Sequence, residues 1–107
     1  ELAEKRYFSG IITRMHQAGT IHGDYDASTG KGYIYEVHLM PKMWLLTKIY
    51  RSKVFQKQTV REIVNTVMNE RAVRCKWQVQ AKLKPNEYCV QYKETDYNFV
   101  SRLLEYE

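Results

Sequence analysis

The chain of 107 residues carries 17 lysines and arginines against 12 aspartates and glutamates, a net charge of +5. That length suits one small domain or a piece of a larger one, able to bury roughly 60–65% of its unfolded surface. Hydrophobic residues at 44% and charged residues at 27% exclude a disordered chain. The longest purely apolar run, "MWLL", falls far short of the ~20 residues a membrane helix needs.

The charge excess is mild and no run of five like charges occurs, which fits a solvated surface of mixed sign better than a nucleic-acid footprint. Nine tyrosines are many for this size, and tyrosine suits interfaces that are apolar on one side and wet on the other. Cys75 and Cys89 lack metal-ligand spacing; their spacing does not decide between a disulfide and two buried thiols, and the reading favoured is reduced, buried thiols. The first residue is Glu1 rather than Met, so the expectation is a chain cut from a longer one.

Tyr7 to His16, "YFSGIITRMH", has the aromatic and β-branched composition of a strand. Gln17 to Gly32 is rich in Gly, Asp, Ser and Thr and reads as a polar connection. Tyr33 to Met40 then alternates: Tyr33, Tyr35, Val37 and Leu39 share one face, and Ile34, Glu36, His38 and Met40 the other. The two strands form a long antiparallel hairpin that Pro41 ends. A further strand is expected over Leu46 to Ser52.

Thr59 to Arg71, "TVREIVNTVMNER", has the clearest helical signature. Thr59 and Glu62 stand at capping-box spacing, and Val60, Ile63, Val64, Val67 and Met68 make one apolar stripe. Cys75 to Ala81 alternates like a strand, "KLKPNE" like a turn, and Glu87 to Lys93 like another strand. A second helix follows, capped by Thr95 or Asp96, with Phe99, Val100, Leu103 and Leu104 on its apolar side. The predicted division is a β-rich part over 1–58, a helix over 59–71, strands over 75–93 and a helix over 94–107. The order strands, helix, strands, helix reads as α+β.

No reaction is written in the residues. His16, His22 and His38 form no HExxH and no ligand set with the cysteines, and neither GxSxG nor a P-loop occurs. Gly30 and Gly32 in "TGKG" are explained by a hairpin turn. Asp24 and Asp26 read as turn formers, and Glu94 and Asp96 as carboxylates stabilised at a helix N-terminus. No catalytic, metal or cofactor-binding residue is assigned. One alternative has a residue basis: Lys42, Lys48, Arg51, Lys53 and Lys57 cluster beside Trp44, Tyr50 and Phe55, the composition of a single-strand nucleic-acid groove.

Several stretches together resemble VgrG, the spike protein of the bacterial type VI secretion system, and the hub proteins of contractile phage tails. The likeness falls on Phe8, Gly10 and Ile11; on Pro41, Trp44, Leu45 and Leu46; on Val54, Phe55 and Gln56; on Thr59 to Met68; and above all on Glu87 to Glu105, "EYCVQYKETDYNFVSRLLE". The stretch Gln17 to Gly32 is longer than that pattern, Arg71 to Pro85 matches little of it, and the glycine-rich β-helical spike is absent. The resemblance implies an antiparallel sheet or partial β-barrel with two helices, a fragment of a larger multi-lobed hub. It implies a homotrimeric ring that docks on a tail tube of stacked rings and carries the spike, with no enzymatic activity in this region. It implies assembly in the bacterial cytoplasm and then secretion, delivery with the spike, or incorporation in a virion. No small-molecule substrate, nucleic acid or stable membrane insertion is expected.

Residues expected to pack between elements are Val60, Ile63, Val64, Val67, Trp77, Phe99, Val100 and Leu103, with Trp44 and Phe55 as further structural positions. Tyr92, Tyr97 and Arg102 are expected to touch the next lobe. The last helix would then be a bridge between lobes that, in isolation, protects the amides of Tyr97 to Tyr106 poorly or packs against a neighbouring chain.

Overall fold

The computed structural model describes residues 4–22 and 30–107. Two compact units divide the chain, Glu1–Pro41 and Lys42–Glu107. The architecture is α+β with antiparallel sheets.

The first unit is a two-stranded ribbon of β1 (Ile11–His22) and β2 (Lys31–Met40). β1 starts later than its composition predicts. At Gly10 any Cβ would collide with the backbone carbonyl of Met40, so the chain passes β2 closely there only because no side chain intervenes. β1 also runs on through Gln17 to His22, which the sequence assigns to a loop. Pairing overrides composition here: Thr20 lies opposite Tyr33, Ile21 opposite Gly32 and His22 opposite Lys31. An exposed ribbon tolerates polar residues on either side. Register shifts between Ile12 and Arg14 and between Gln17 and Gly19 break the alternation of β1. Asp24 and Asp26 lie outside the described residues.

The second unit opens on a 3-10 helix, Lys42–Lys48, where the sequence pattern places a strand from Leu46. Leu46 is fully buried and the Thr47 hydroxyl donates back to the Trp44 carbonyl at 2.6 Å, a local bond that favours a tight turn. The strand begins at Tyr50 instead. β3 (Tyr50–Gln58) pairs antiparallel with β4 (Asn86–Thr95).

α1 (Val60–Asn69) starts with the full capping box: the Glu62 N–H donates to Thr59 Oγ1 at 3.2 Å, and the Thr59 N–H to Glu62 Oε2 at 2.7 Å. It closes through Ala72, held at φ 52°, while the Val73 N–H returns to the Met68 carbonyl at 3.0 Å. That is a Schellman closure with alanine where glycine is preferred. α2 (Asp96–Glu105) takes Thr95 as its cap, the Asn98 N–H donating to Thr95 Oγ1 at 3.1 Å.

The core of this unit holds Leu46, Phe55, Val60, Ile63, Val64, Val67, Met68, Val73, Phe99, Val100 and Leu103. Phe55 and Phe99 stack with ring centroids 5.7 Å apart. Because α2 buries Phe99, Val100 and Leu103 in its own unit, the weak amide protection expected of it does not follow. The strand expected over Cys75 to Ala81 does not form; residues 73–85 hold no helix or strand. Of Cys75 to Ala81 only Trp77 is partly buried: it packs against the core, its Nε1 donating to Asn65 Oδ1 at 2.8 Å, while Cys75, Val79 and Ala81, on the same side of the pattern, are exposed. Cys75 is exposed rather than buried as expected, and Cys89 is half-buried; both are free thiols.

Candidate assembly surface

Two features of the chain bear on what it does: a buried polar joint that fixes the second unit, and apolar sheet faces that nothing in the described residues covers.

The joint grows from a bulge. Arg51 pairs with Glu94 and Lys53 with Gln91, so Ser52 alone opposes Tyr92 and Lys93. Lys93 takes φ 42° and its N–H donates to Ser52 Oγ at 3.0 Å. The extra residue re-aims the strand. Gln91 stays inward, and the chain beyond the bulge is turned so that Asp96 enters the core at the head of α2. Both residues are fully buried.

Asp96 Oδ1 accepts from Arg51 Nε at 2.9 Å and from Gln91 Nε2 at 2.8 Å, and its N–H donates to the Ile49 carbonyl at 2.9 Å. Arg51 also pairs with Glu70 through its other nitrogen, and Lys53 Nζ reaches Glu70 Oε1 at 2.6 Å. The Lys53 hydrogen bond, joined by Arg51 and opposed by burial, holds the Glu70 carboxyl below the usual range. Burial works to lower the Arg51 pKa, but its bonds to Glu70 and Asp96 raise it overall. The sequence presents Asp96 as a dipole-stabilised carboxylate at a helix start. The structure instead makes it the acceptor that ties β3, β4 and α2 together.

Glu94 has a different role. It accepts from Arg102 at 2.6 Å and from Asn98 at 2.5 Å. Burial works to raise its pKa, and those bonds lower it overall. Burial pushes the Cys89 thiol up, with Arg102 pulling the other way. Thus Arg102, expected at the next lobe, is engaged within its own unit, where it also donates to the Val90 carbonyl at 3.2 Å and lies over the Phe99 ring.

The basic and aromatic cluster of the single-strand reading is dispersed in the same way. Arg51 and Lys53 are committed to Glu70, Lys42 donates to the Ala72 carbonyl at 2.9 Å, and Lys48 lies over Trp44 at 4.6 Å. Phe55 is in the core and Trp44 is half-buried. Among the described residues no group of His, Cys, Asp and Glu is placed to hold a metal, and no helix is long and apolar enough to cross a membrane. His16 and His38 flank Glu36 on one exposed face of the ribbon, at 3.7 and 3.0 Å.

The other face of the ribbon is apolar. Register puts Ile12 opposite Leu39, Met15 opposite Val37 and Gln17 opposite Tyr35. Ile12, Met15, Tyr33, Tyr35, Val37 and Leu39 are all 43% exposed or more. A two-stranded ribbon with no covered face is marginal by itself, and contiguous apolar surface of this kind marks an interaction site. In the second unit the outer face of β3 and β4 repeats the pattern. Val54 faces Val90, Gln56 faces Tyr88, and Tyr88, Val90 and Tyr92 stand outward and exposed. All eight described tyrosines are exposed, Tyr97 included. The alternation of Tyr33 to Leu39 was visible in the sequence, but not that its apolar side would stay as exposed as its polar one. Asp96, Gln91 and the bulge carried no sequence signal beyond the strand itself.

Comparison with known proteins places these features in a family. The family model for the phage tail baseplate hub (GPD) matches residues 1–107. Type VI secretion system spike proteins of Pseudomonas aeruginosa are similar: VgrG1c is 36% identical over 104 residues, and VgrG1a 37% over 106. Each match covers 96% of this chain but only 13% and 15% of those proteins. The actin cross-linking toxin VgrG1 of Vibrio cholerae is 30% identical over 97 residues, covering 89% of this chain and 9% of that protein. Among solved structures, the E. coli c3393 protein superposes with a TM-score of 0.73 at 32% identity, over 92% of this chain and 26% of that one. It is described as a component of the type VI secretion system with structural similarity to the T4 bacteriophage tail proteins gp27 and gp5. The chain spans about an eighth of the length of the spike proteins it matches. With its whole length matched and its fold shared, this chain belongs to the phage tail baseplate hub family.

Proposed function

We propose that this chain is a structural part of the hub of a contractile injection machine, of the type VI secretion or phage-tail kind. It works by holding a shape and by presenting surfaces for assembly, without catalysis, cofactor, nucleic acid or membrane insertion. The hub assembles as a homotrimer, seats on a tube of stacked ring proteins, and travels from the bacterial cytoplasm to the outside or into a target with the spike. The single observation that carries this reading is the exposed apolar face of the β1–β2 ribbon, in a chain whose family is that of baseplate hubs. Neighbouring lobes or copies cover that face and the outer face of β3 and β4, where Tyr92 lies; Tyr97 is a further contact.

Tyr35→Glu with Val37→Glu tests it. Both residues are exposed, so folding of the chain survives, while a covered interface would have to bury two unpaired charges. In cells using the full-length protein, release of the tube protein into the medium should fall to the level of a deletion strain. Unchanged release would overturn the reading.

A further inference from the structure

The net charge of this chain is concentrated in one stretch. Between Arg71 and Pro85 lie Arg71, Arg74, Lys76, Lys82 and Lys84 and no carboxylate. The remaining 12 cations of the chain equal its 12 carboxylates, so the whole excess of +5 resides there. All five side chains are exposed, and none pairs with a carboxylate among the described residues.

The stretch also borders an apolar hollow. Trp77, Val79, Leu83 and Leu104 line a groove of about 500 Å³, together with Lys82, Lys84 and Glu107. A smaller hollow of about 240 Å³ lies along the same strand-like segment, between Val79 to Leu83 on one side and Thr59 and Arg61 on the other.

We propose that this cationic groove is a docking site for an acidic polypeptide segment that carries apolar side chains. The apolar walls receive one or two hydrophobic side chains, and Lys82 and Lys84 meet carboxylates beside them. Charge complementarity selects the sign of the partner, and the concave apolar walls select a partner with side chains to insert. A nucleic acid fits less well. The one aromatic ring in the stretch, Trp77, is half-buried, bonded through Nε1 to Asn65 and under Arg61 at 5.4 Å, whereas a single-strand groove stacks successive bases on several exposed rings. A membrane surface would need an apolar face that protrudes rather than a groove.

The test is fluorescence anisotropy on the intact chain with four labelled probes. They are peptides mixing Glu with Leu or Phe at varied spacing, poly-glutamate, single-stranded oligothymidine, and vesicles of phosphatidylcholine with phosphatidylglycerol. At least one mixed peptide should bind about tenfold more tightly than poly-glutamate and weaken as salt rises. The exposed double variant K82E/K84E should lose about tenfold of that affinity. L83S should lose about fivefold while leaving poly-glutamate binding unchanged. Binding by none of the mixed peptides overturns the proposal. So does equal binding of poly-glutamate, tighter binding of oligothymidine or vesicles, or indifference to both variants in chains whose thermal melting is unaltered.

Discussion

Replacing Asp96 by alanine should cost the second unit about 3 kcal/mol. Asp96 is fully buried and its Oδ1 accepts two bonds, from Arg51 Nε at 2.9 Å and Gln91 Nε2 at 2.8 Å. Removing one member of a buried charged pair costs roughly 3–5 kcal/mol, because the other charge is stranded. Here the lower end applies. The Arg51 side chain is 27% exposed and keeps Glu70, and Gln91 keeps the Glu94 carbonyl at 3.1 Å. A further part of the cost is offset because Asp96 Oδ2 and Gln91 Oε1 are buried without a partner among the described residues, so the carboxylate is itself imperfectly solvated. Urea unfolding followed by tryptophan fluorescence measures the loss. Should D96A not fold, Asp96→Asn keeps an acceptor of the same shape and should show a smaller loss. In a double-mutant cycle with Arg51→Met the coupling should reach at least about 1 kcal/mol. A loss for D96A below about 1 kcal/mol, with no coupling to Arg51, would refute the view that this joint fixes α2 to the sheet.

Other outcomes follow from the same geometry. Phe99→Ala removes a fully buried ring stacked on Phe55 and should cost about 3–5 kcal/mol by thermal or chemical unfolding. Ala72→Gly relieves a left-handed alanine in the closure of α1 and should raise the unfolding free energy read from urea titration by about 0.5–1 kcal/mol. Glu70 and Glu94 both have carboxyls held below their usual range in the folded chain. Their contribution is therefore present above the unfolded value and lost as pH falls through the folded one. The urea midpoint should decline in acid from about pH 4.5 downward, and the decline should be shallower in Glu70→Gln. Hydrogen exchange should find α2 among the slow amides, since it forms part of the core; fast exchange throughout 96–105 would contradict that placement.

What the sequence disclosed depended on where the physics was local. The Thr59 and Glu62 spacing located the start of α1 to the residue, because a capping box is a contact between neighbours. The stripe Val60, Ile63, Val64, Val67 marked the side that is buried. The family likeness through Glu87 to Glu105 covered β4 and α2 together. Elements set by distant contacts were not legible. The continuation of β1 to His22 depends on pairing with Lys31 to Tyr33. The 3-10 helix displaced a predicted strand because Leu46 had to reach the core. The alternation of Cys75 to Ala81 resembled a strand but belongs to a chain that packs by Trp77 and pairs with nothing described. For the candidate surface, the tyrosine count hinted at an interface. The side of each strand that stays uncovered could be read only once the register was known. Asp96 shows the limit most clearly, since at a helix start an exposed carboxylate and a buried one look alike in sequence.

A hub of the proposed kind works as an assembly of copies. Light scattering on a sizing column, applied to the full-length protein that bears this chain, reads the number of copies directly. The expected mass is that of three copies per particle, falling to one in the Tyr35→Glu, Val37→Glu variant. A wild-type protein with the mass of a single copy at all concentrations would contradict it.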